Sequence, residues 1–155
     1  MAEEPQAVKL VIIMTGEIRM NKSIPPKIEN AVKEFFLAQS GIRLVFLFGS
    51  VVQGRLTSES DIDTAVLFET SPDALEIHRM AQSIAETLKR EVDLVDLNQA
   101  SPILRMQVLK NGILILCSDL KHYSEFFTST IKQYEDLKRI RRPIEENILI
   151  GRIYA

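Results

Sequence analysis

Hydrophobic positions along the chain fall into short blocks whose period switches between helical and strand spacing. Ile28, Val32, Phe35 and Phe36 recur at helical spacing, which predicts a first helix over residues 25–39. Ser23 stands before it as a cap, the two prolines Pro25 and Pro26 suit its first turn, and Gly41 suits its stop. Residues 43–48 are a mostly apolar run of strand length ending at Gly49-Ser50, and residues 61–68 read as a second strand. Ser71-Pro72 opens a helix to about residue 90, with Ile77, Met80, Ala81, Ile84 and Leu88 on one face. A third strand spans 92–97. Ser101-Pro102 opens another helix, Asn111-Gly112 ends it, and residues 113–117 form a fourth strand. The last element is a long helix over residues 120–141, which Pro143 is expected to stop. Its apolar stripe of Tyr123, Phe126, Phe127, Ile131, Tyr134, Leu137 and Ile140 should mostly enter the core, with length left for docking a partner helix.

The fold class that follows is α/β (α+β): a mixed β-sheet with helices packed mainly on one face and a long C-terminal helix. Residues 1–22 read as an N-terminal extension, in which 8–14 have strand character. Residues 23–118 form the compact domain, and 119–155 the C-terminal helix and tail. A chain of 155 residues suits one domain that buries roughly 70% of its unfolded surface.

Charge and composition narrow the function classes. A net charge of −2 and a pI near 5.8 argue against direct nucleic-acid binding through a broad basic face. Lys138, Arg139, Arg141 and Arg142 do cluster, either as a solvated helix end or as a docking patch. The longest apolar runs, such as 10–14 and 113–117, fall far short of the ~20 residues that span a bilayer, so no membrane association is expected. The start Met1-Ala2-Glu3-Glu4-Pro5 is acidic where a secretory signal is basic. Cys117 is the single cysteine and cannot form an internal disulfide, so a cytoplasmic location is expected. His78 and His122 have no metal-ligand partner at useful spacing and read as surface residues.

The candidate chemistry lies between the first two strands. Asp61 and Asp63 project from one face of a strand, ~6.6 Å apart, while Ile62 takes the other. Carboxylates that close repel unless protonated or bound to a cation, and oxygen ligands at this spacing suit Mg²⁺. Gly49-Ser50, at the preceding strand end, offers close backbone approach and hydroxyl and amide donors for a phosphate. Arg55, in the loop between, is either a phosphate contact or a solvated arginine. A third carboxylate is expected from Glu91-Val92-Asp93-Leu94-Val95-Asp96. Asp93, flanked by apolar residues inside the strand, is preferred to Asp96 near the exit. A lone Asp-x-Asp usually marks only a solvated strand edge; its conjunction with Gly-Ser and a third acidic strand favours metal-assisted phosphoryl chemistry.

Gly49-Ser50, ten intervening residues, then Asp61-x-Asp63 resembles the signature of the DNA polymerase β-like nucleotidyltransferase superfamily. More narrowly, the chain resembles a minimal nucleotidyltransferase (MNT) domain, the MntA-like antitoxin of HEPN/MNT toxin–antitoxin pairs. Gly54-Arg55, Ser60, residues 92–97 and Ser101-Pro102-Ile103-Leu104-Arg105 agree with that pattern, and the resemblance covers about residues 25–118. It implies that Asp61, Asp63 and Asp93 hold magnesium and that Gly49 and Ser50 hold the triphosphate. The implied reaction transfers AMP from ATP to a tyrosine of a partner HEPN ribonuclease toxin, neutralising it. Thr64 departs from the pattern, which usually has a larger aliphatic residue after the second aspartate. Two alternatives stand beside this reading: neutralisation by stoichiometric binding alone, and nucleotidyl transfer to a small molecule or an RNA end.

Overall fold

A computed structural model describes the protein from residue 24 to residue 154, with side chains described as far as residue 148. The expected N-terminal extension, its strand-like stretch and the cap Ser23 lie outside the described residues. Helix α1 (Pro26–Leu37) starts on Pro26, whose ring suits a first turn because no amide hydrogen is needed there. Ile28, Val32 and Phe36 are its buried stripe. Strand β1 (Ile42–Phe48) follows, then a single 3₁₀ turn at Gly49–Val51 and strand β2 (Ile62–Phe68). Helix α2 (Ala74–Leu88) begins later than Ser71-Pro72 suggested. Asp73 is the actual cap, its carboxylate accepting the Glu76 amide at 2.8 Å. Strand β3 (Val92–Asp96), helix α3 (Pro102–Asn111) and strand β4 (Ile113–Cys117) complete the sheet region. Ser101 caps α3 as expected, accepting the Leu104 amide at 3.2 Å.

The strands lie in the order β3-β2-β1-β4. β1 pairs antiparallel with both β2 and β4, while β2 and β3 run parallel with α2 as their crossover. Strand alternation sends Val45 and Leu47 to one face of the sheet and Leu44 and Phe46 to the other, and all four are buried. One face packs against Val32 and Phe36 of α1 and Ile84 and Leu88 of α2. The other packs against Val108 of α3 and Phe126 of the last helix. The mixed sheet is as expected, but the helices divide two and two between the faces instead of gathering mainly on one. The reason is that β1 and β2 are apolar on both sides, so each face needs a cover.

Helix α4 (Leu120–Tyr154) is longer than the sequence suggests, because Pro143 lies inside it. A proline within a helix leaves the carbonyl four residues earlier, here that of Arg139, without its amide partner. Residues 138–148 are all exposed, so water can satisfy that carbonyl. Arg142 and Glu146 form an i,i+4 pair at 3.4 Å across the proline. The basic cluster therefore sits in mid-helix, where the terminal dipole argument does not apply. The apolar stripe also reaches the core less than expected: Phe126 is buried, whereas Phe127 is 43% and Ile140 65% exposed.

Two polar side chains tie the layers together. Asn98, after β3, accepts the Phe68 amide and donates to the Phe68 carbonyl, both at 2.9 Å, extending the β2 pairing beyond the strand. Arg105 donates to the carbonyls of Leu97 (2.7 Å) and Asn98 (3.0 Å) and to Gln133 Oε1 (3.0 Å). Its guanidinium also lies 5.8 Å from the Phe126 ring centre. One side chain thus joins the exit of β3 to α3 and α4.

Thr64 is wholly buried, and its hydroxyl has no hydrogen-bond partner among the described residues. An unpartnered buried hydroxyl costs free energy that an apolar group of the same shape does not. Thr64→Val is expected to stabilise the protein by about 1 kcal/mol in urea unfolding. A loss of stability instead would mean that the hydroxyl has a partner.

Candidate active site

The register of three strands assembles the carboxylates. Asp63 is the ladder partner of Phe48 on β1 and of Asp93 on β3. In-register neighbours project to the same face, so Asp63 and Asp93 lie side by side with Cα atoms ~4.8 Å apart. Asp61 immediately precedes β2, two residues from Asp63, and is exposed. Asp63 is half-buried, and its carboxyl is held above the ordinary carboxylate range, first by burial and then by the charges of Asp93 and Asp61. The three aspartates singled out in the sequence are therefore one electrostatic group.

Asp96 faces a different task. Its Oδ1 accepts the Asn98 amide at 2.9 Å, holding the turn after β3. It is the last residue of β3, at the strand exit.

Gly49 meets this group from β1. It has φ +73°, and a β-carbon there would lie 2.1 Å from Asp63 Oδ2 and 3.1 Å from its Cγ. Both conditions require glycine: the left-handed backbone, and the absence of any atom between the strand end and the carboxylate. The turn it opens is closed by the amides of Val52 and Gln53, donating to the Gly49 carbonyl at 3.1 and 3.2 Å. The Arg55 amide donates to the Ser50 carbonyl at 3.1 Å. Ser50 follows Gly49 in the 3₁₀ turn, and the Arg55 side chain is exposed on the loop.

The segment leading into Asp61 is held by Ser60, which belongs to the family pattern, and by Thr57 and Arg90, which sequence reasoning did not single out. The Thr57 amide and hydroxyl both meet Ser60 Oγ at 2.9 Å. Arg90 Nη1 donates to the Thr57 carbonyl at 2.5 Å and lies 3.4 Å from that of Ser60. Thirty residues or more separate these partners, and no local pattern connects them. His78 is exposed, as expected, while His122 is half-buried and its Nδ1 has no hydrogen-bond partner among the described residues. Cys117 is buried and donates to the Asp119 carbonyl at 3.3 Å. Among the described residues no helix is long and apolar enough to cross a membrane.

An antiparallel pair with Gly-Ser after its first strand, one aspartate just before the second strand and one on it, and a third on a parallel neighbour is the architecture of a nucleotidyl-transferring domain. The sequence matches the family described as Polymerase beta, Nucleotidyltransferase over residues 30–121, and the chain belongs to that family. A nucleotide is accordingly its substrate.

Within the family, it is 36% identical over 108 residues to the protein adenylyltransferase MntA of Shewanella oneidensis, covering 70% of this chain and 77% of that protein. Its structure is similar to a crystal structure of a toxin–antitoxin with AMP-PNP, at 33% identity and a TM-score of 0.71, covering 78% of this chain and 98% of the other. It is also similar to a structure of the tri-AMPylated Shewanella oneidensis HEPN toxin in complex with MNT antitoxin. There the identity is 31% and the TM-score 0.66, covering 79% of this chain and 96% of the other.

Two measurements test this geometry. Gly49→Ala is expected to cost at least about 2 kcal/mol in denaturant unfolding, from the positive φ together with the clash against Asp63. An unchanged midpoint would mean that the strand end does not abut the carboxylate. The raised Asp63 carboxyl has a defined sign. Its stabilising contribution is full when it is protonated, below the ordinary carboxylate range, and is lost as pH rises through its raised value. Asp63→Asn should therefore raise the thermal midpoint of the ligand-free protein at neutral pH, with the gap to wild type closing as the solution is acidified. A gap that widens on acidification would reverse the assignment.

Proposed function

We propose that this protein transfers AMP from ATP to a tyrosine of a partner HEPN ribonuclease toxin and thereby neutralises it, acting in the cytoplasm with Mg²⁺. The observation that carries the reading is the aspartate group at the β2–β3 register, with Gly49 against Asp63. Similarity to an adenylyltransferase and to antitoxins solved with AMP-PNP or with an AMPylated toxin supports the nucleotide and the acceptor.

Asp61, Asp63 and Asp93 are the residues that would hold Mg²⁺. Their mutual repulsion, visible in the raised Asp63 carboxyl, is what a divalent cation relieves. All three donors are carboxylates, the oxygen ligands that a hard divalent cation such as Mg²⁺ takes, and among the described residues they are not gathered into a metal-binding group without it. When bound, the metal would neutralise charge developing on the phosphates.

Gly49 and Ser50 would hold the triphosphate, the glycine admitting it close to the backbone and the serine donating a hydrogen bond. Arg55 would reach the phosphates from its loop. The acceptor oxygen bonds to the α-phosphorus as the α–β bridging bond breaks, pyrophosphate leaves, and the phenolic proton passes to a carboxylate such as Asp93. An AMP group on the toxin adds bulk and negative charge, which would block an RNA-cleaving site.

The test is transfer from α-labelled ATP with Mg²⁺ and, as the candidate toxin, the product of the gene adjacent to this protein's. Wild type should label the toxin, and the Asp61→Ala, Asp63→Ala double variant should be slower by on the order of 10³-fold or more. A complex that forms without any label would indicate neutralisation by binding. Label appearing on RNA or a small molecule, and not on the toxin, would change the acceptor class.

A further inference from the structure

Asp61 is exposed and precedes the strand, so its backbone is not held by the ladder as that of Asp63 is. Both of its neighbours are held by one short segment at the end of α2. On one side Arg90 Nη1 reaches the carbonyls of Thr57, at 2.5 Å, and Ser60, at 3.4 Å. On the other the Ile62 amide donates to the Glu91 carbonyl at 2.9 Å. Within the loop, Ser60 Oγ accepts the Thr57 amide at 2.9 Å, and the Ser60 amide returns to the Thr57 carbonyl at 3.2 Å. The guanidinium thus caps a closed turn from outside, at the point where the chain enters Asp61. Its direction is set by Lys89, which ends α2 in the left-handed conformation (φ 53°) and redirects the chain toward the loop.

We propose that Arg90 is a positioning residue for Asp61, clamping the Thr57–Ser60 turn so that the Asp61 carboxylate is presented to a divalent cation beside Asp63. The inference rests on the metal-binding reading of Asp61 given above. The need for a clamp is physical. Three neighbouring carboxylates repel, and an unrestrained loop would swing Asp61, which no ladder holds, into water before the cation arrives. Holding the turn from a guanidinium, which has several donors in a fixed fork, keeps the carboxylate near the others without occupying its oxygens.

The experiment measures Mn²⁺ binding by electron paramagnetic resonance, with a non-hydrolysable ATP analogue present, on the full chain. Variants are Arg90→Gln, Arg90→Lys and Ser60→Ala, with nucleotide binding in EDTA and thermal midpoints recorded alongside. Arg90→Gln is expected to weaken Mn²⁺ by about 10- to 100-fold, as for groups that orient metal ligands, while metal-free nucleotide binding is unchanged. Arg90→Lys should recover part of the loss. Ser60→Ala, which loosens the same turn from inside, should weaken Mn²⁺ in the same direction and keeps the test open if Arg90→Gln does not fold. Equal Mn²⁺ affinity in wild type, Arg90→Gln and Ser60→Ala would overturn the inference and leave the metal site standing. Equal weakening of Mn²⁺ and of metal-free nucleotide would also overturn it, as a general structural effect. Absence of saturable Mn²⁺ binding by wild type would remove the metal site itself, and the inference with it.

Discussion

The approach of Gly49 to the Asp63 carboxylate sets the arrangement of the site. β1 delivers its last residue, Phe48, opposite Asp63, and the chain must then turn away across the face from which that carboxylate projects. Only a residue with no side chain and a positive φ can make the turn without striking Oδ2. The 3₁₀ turn that contains Ser50, closed on the Gly49 carbonyl, and the loop that carries Arg55 outward follow from this contact.

The same contact carries a cost in stability. Asp63 is partly withdrawn from water and faces two further carboxylates, so its ionisation is opposed at the pH where a metal-binding role needs it. The surrounding sheet opposes that local instability. Asp63 lies on a central strand with ladder partners on both sides, and the opposite face of that strand is sealed by Ile62 and Val66 under α1 and α2. The ladders hold the backbone beneath that carboxylate in place. Protonation or a cation is left to relieve the repulsion, which is why the electrostatics and the proposed chemistry point the same way.

Covering the sheet on both faces has a second consequence. α3 and α4 close the face onto which Asp63, Ala65 and Leu67 project, and Arg105 locks both helices to the exit of β3. The near half of α4 is held by Phe126 and the wholly buried Thr130, while residues 138–148 are exposed. Exposed Ile140, Ile144 and Ile148 lie along that distal half, around a proline whose lost hydrogen bond is tolerated because the helix is solvated there.

Much of this was legible in the chain itself. Strand-length apolar runs, Ser101 before Pro102, and Gly-Ser followed by Asp-x-Asp are local signals, and they located four strands, the α3 cap and the three aspartates. Those signals work because propensity, capping and side-chain alternation depend on residues a few positions apart. Other features depend on partners that the sequence does not bring together. The register that sets Asp63 beside Asp93, the sharing of helices between two faces, and the clamp from Arg90 to Thr57 all join residues about thirty or more positions apart. Pro143 shows the limit from the other direction. Its ring argues locally for a helix end, yet the element runs on, because whether a missing hydrogen bond is costly depends on whether water can reach the carbonyl, and tertiary structure decides that.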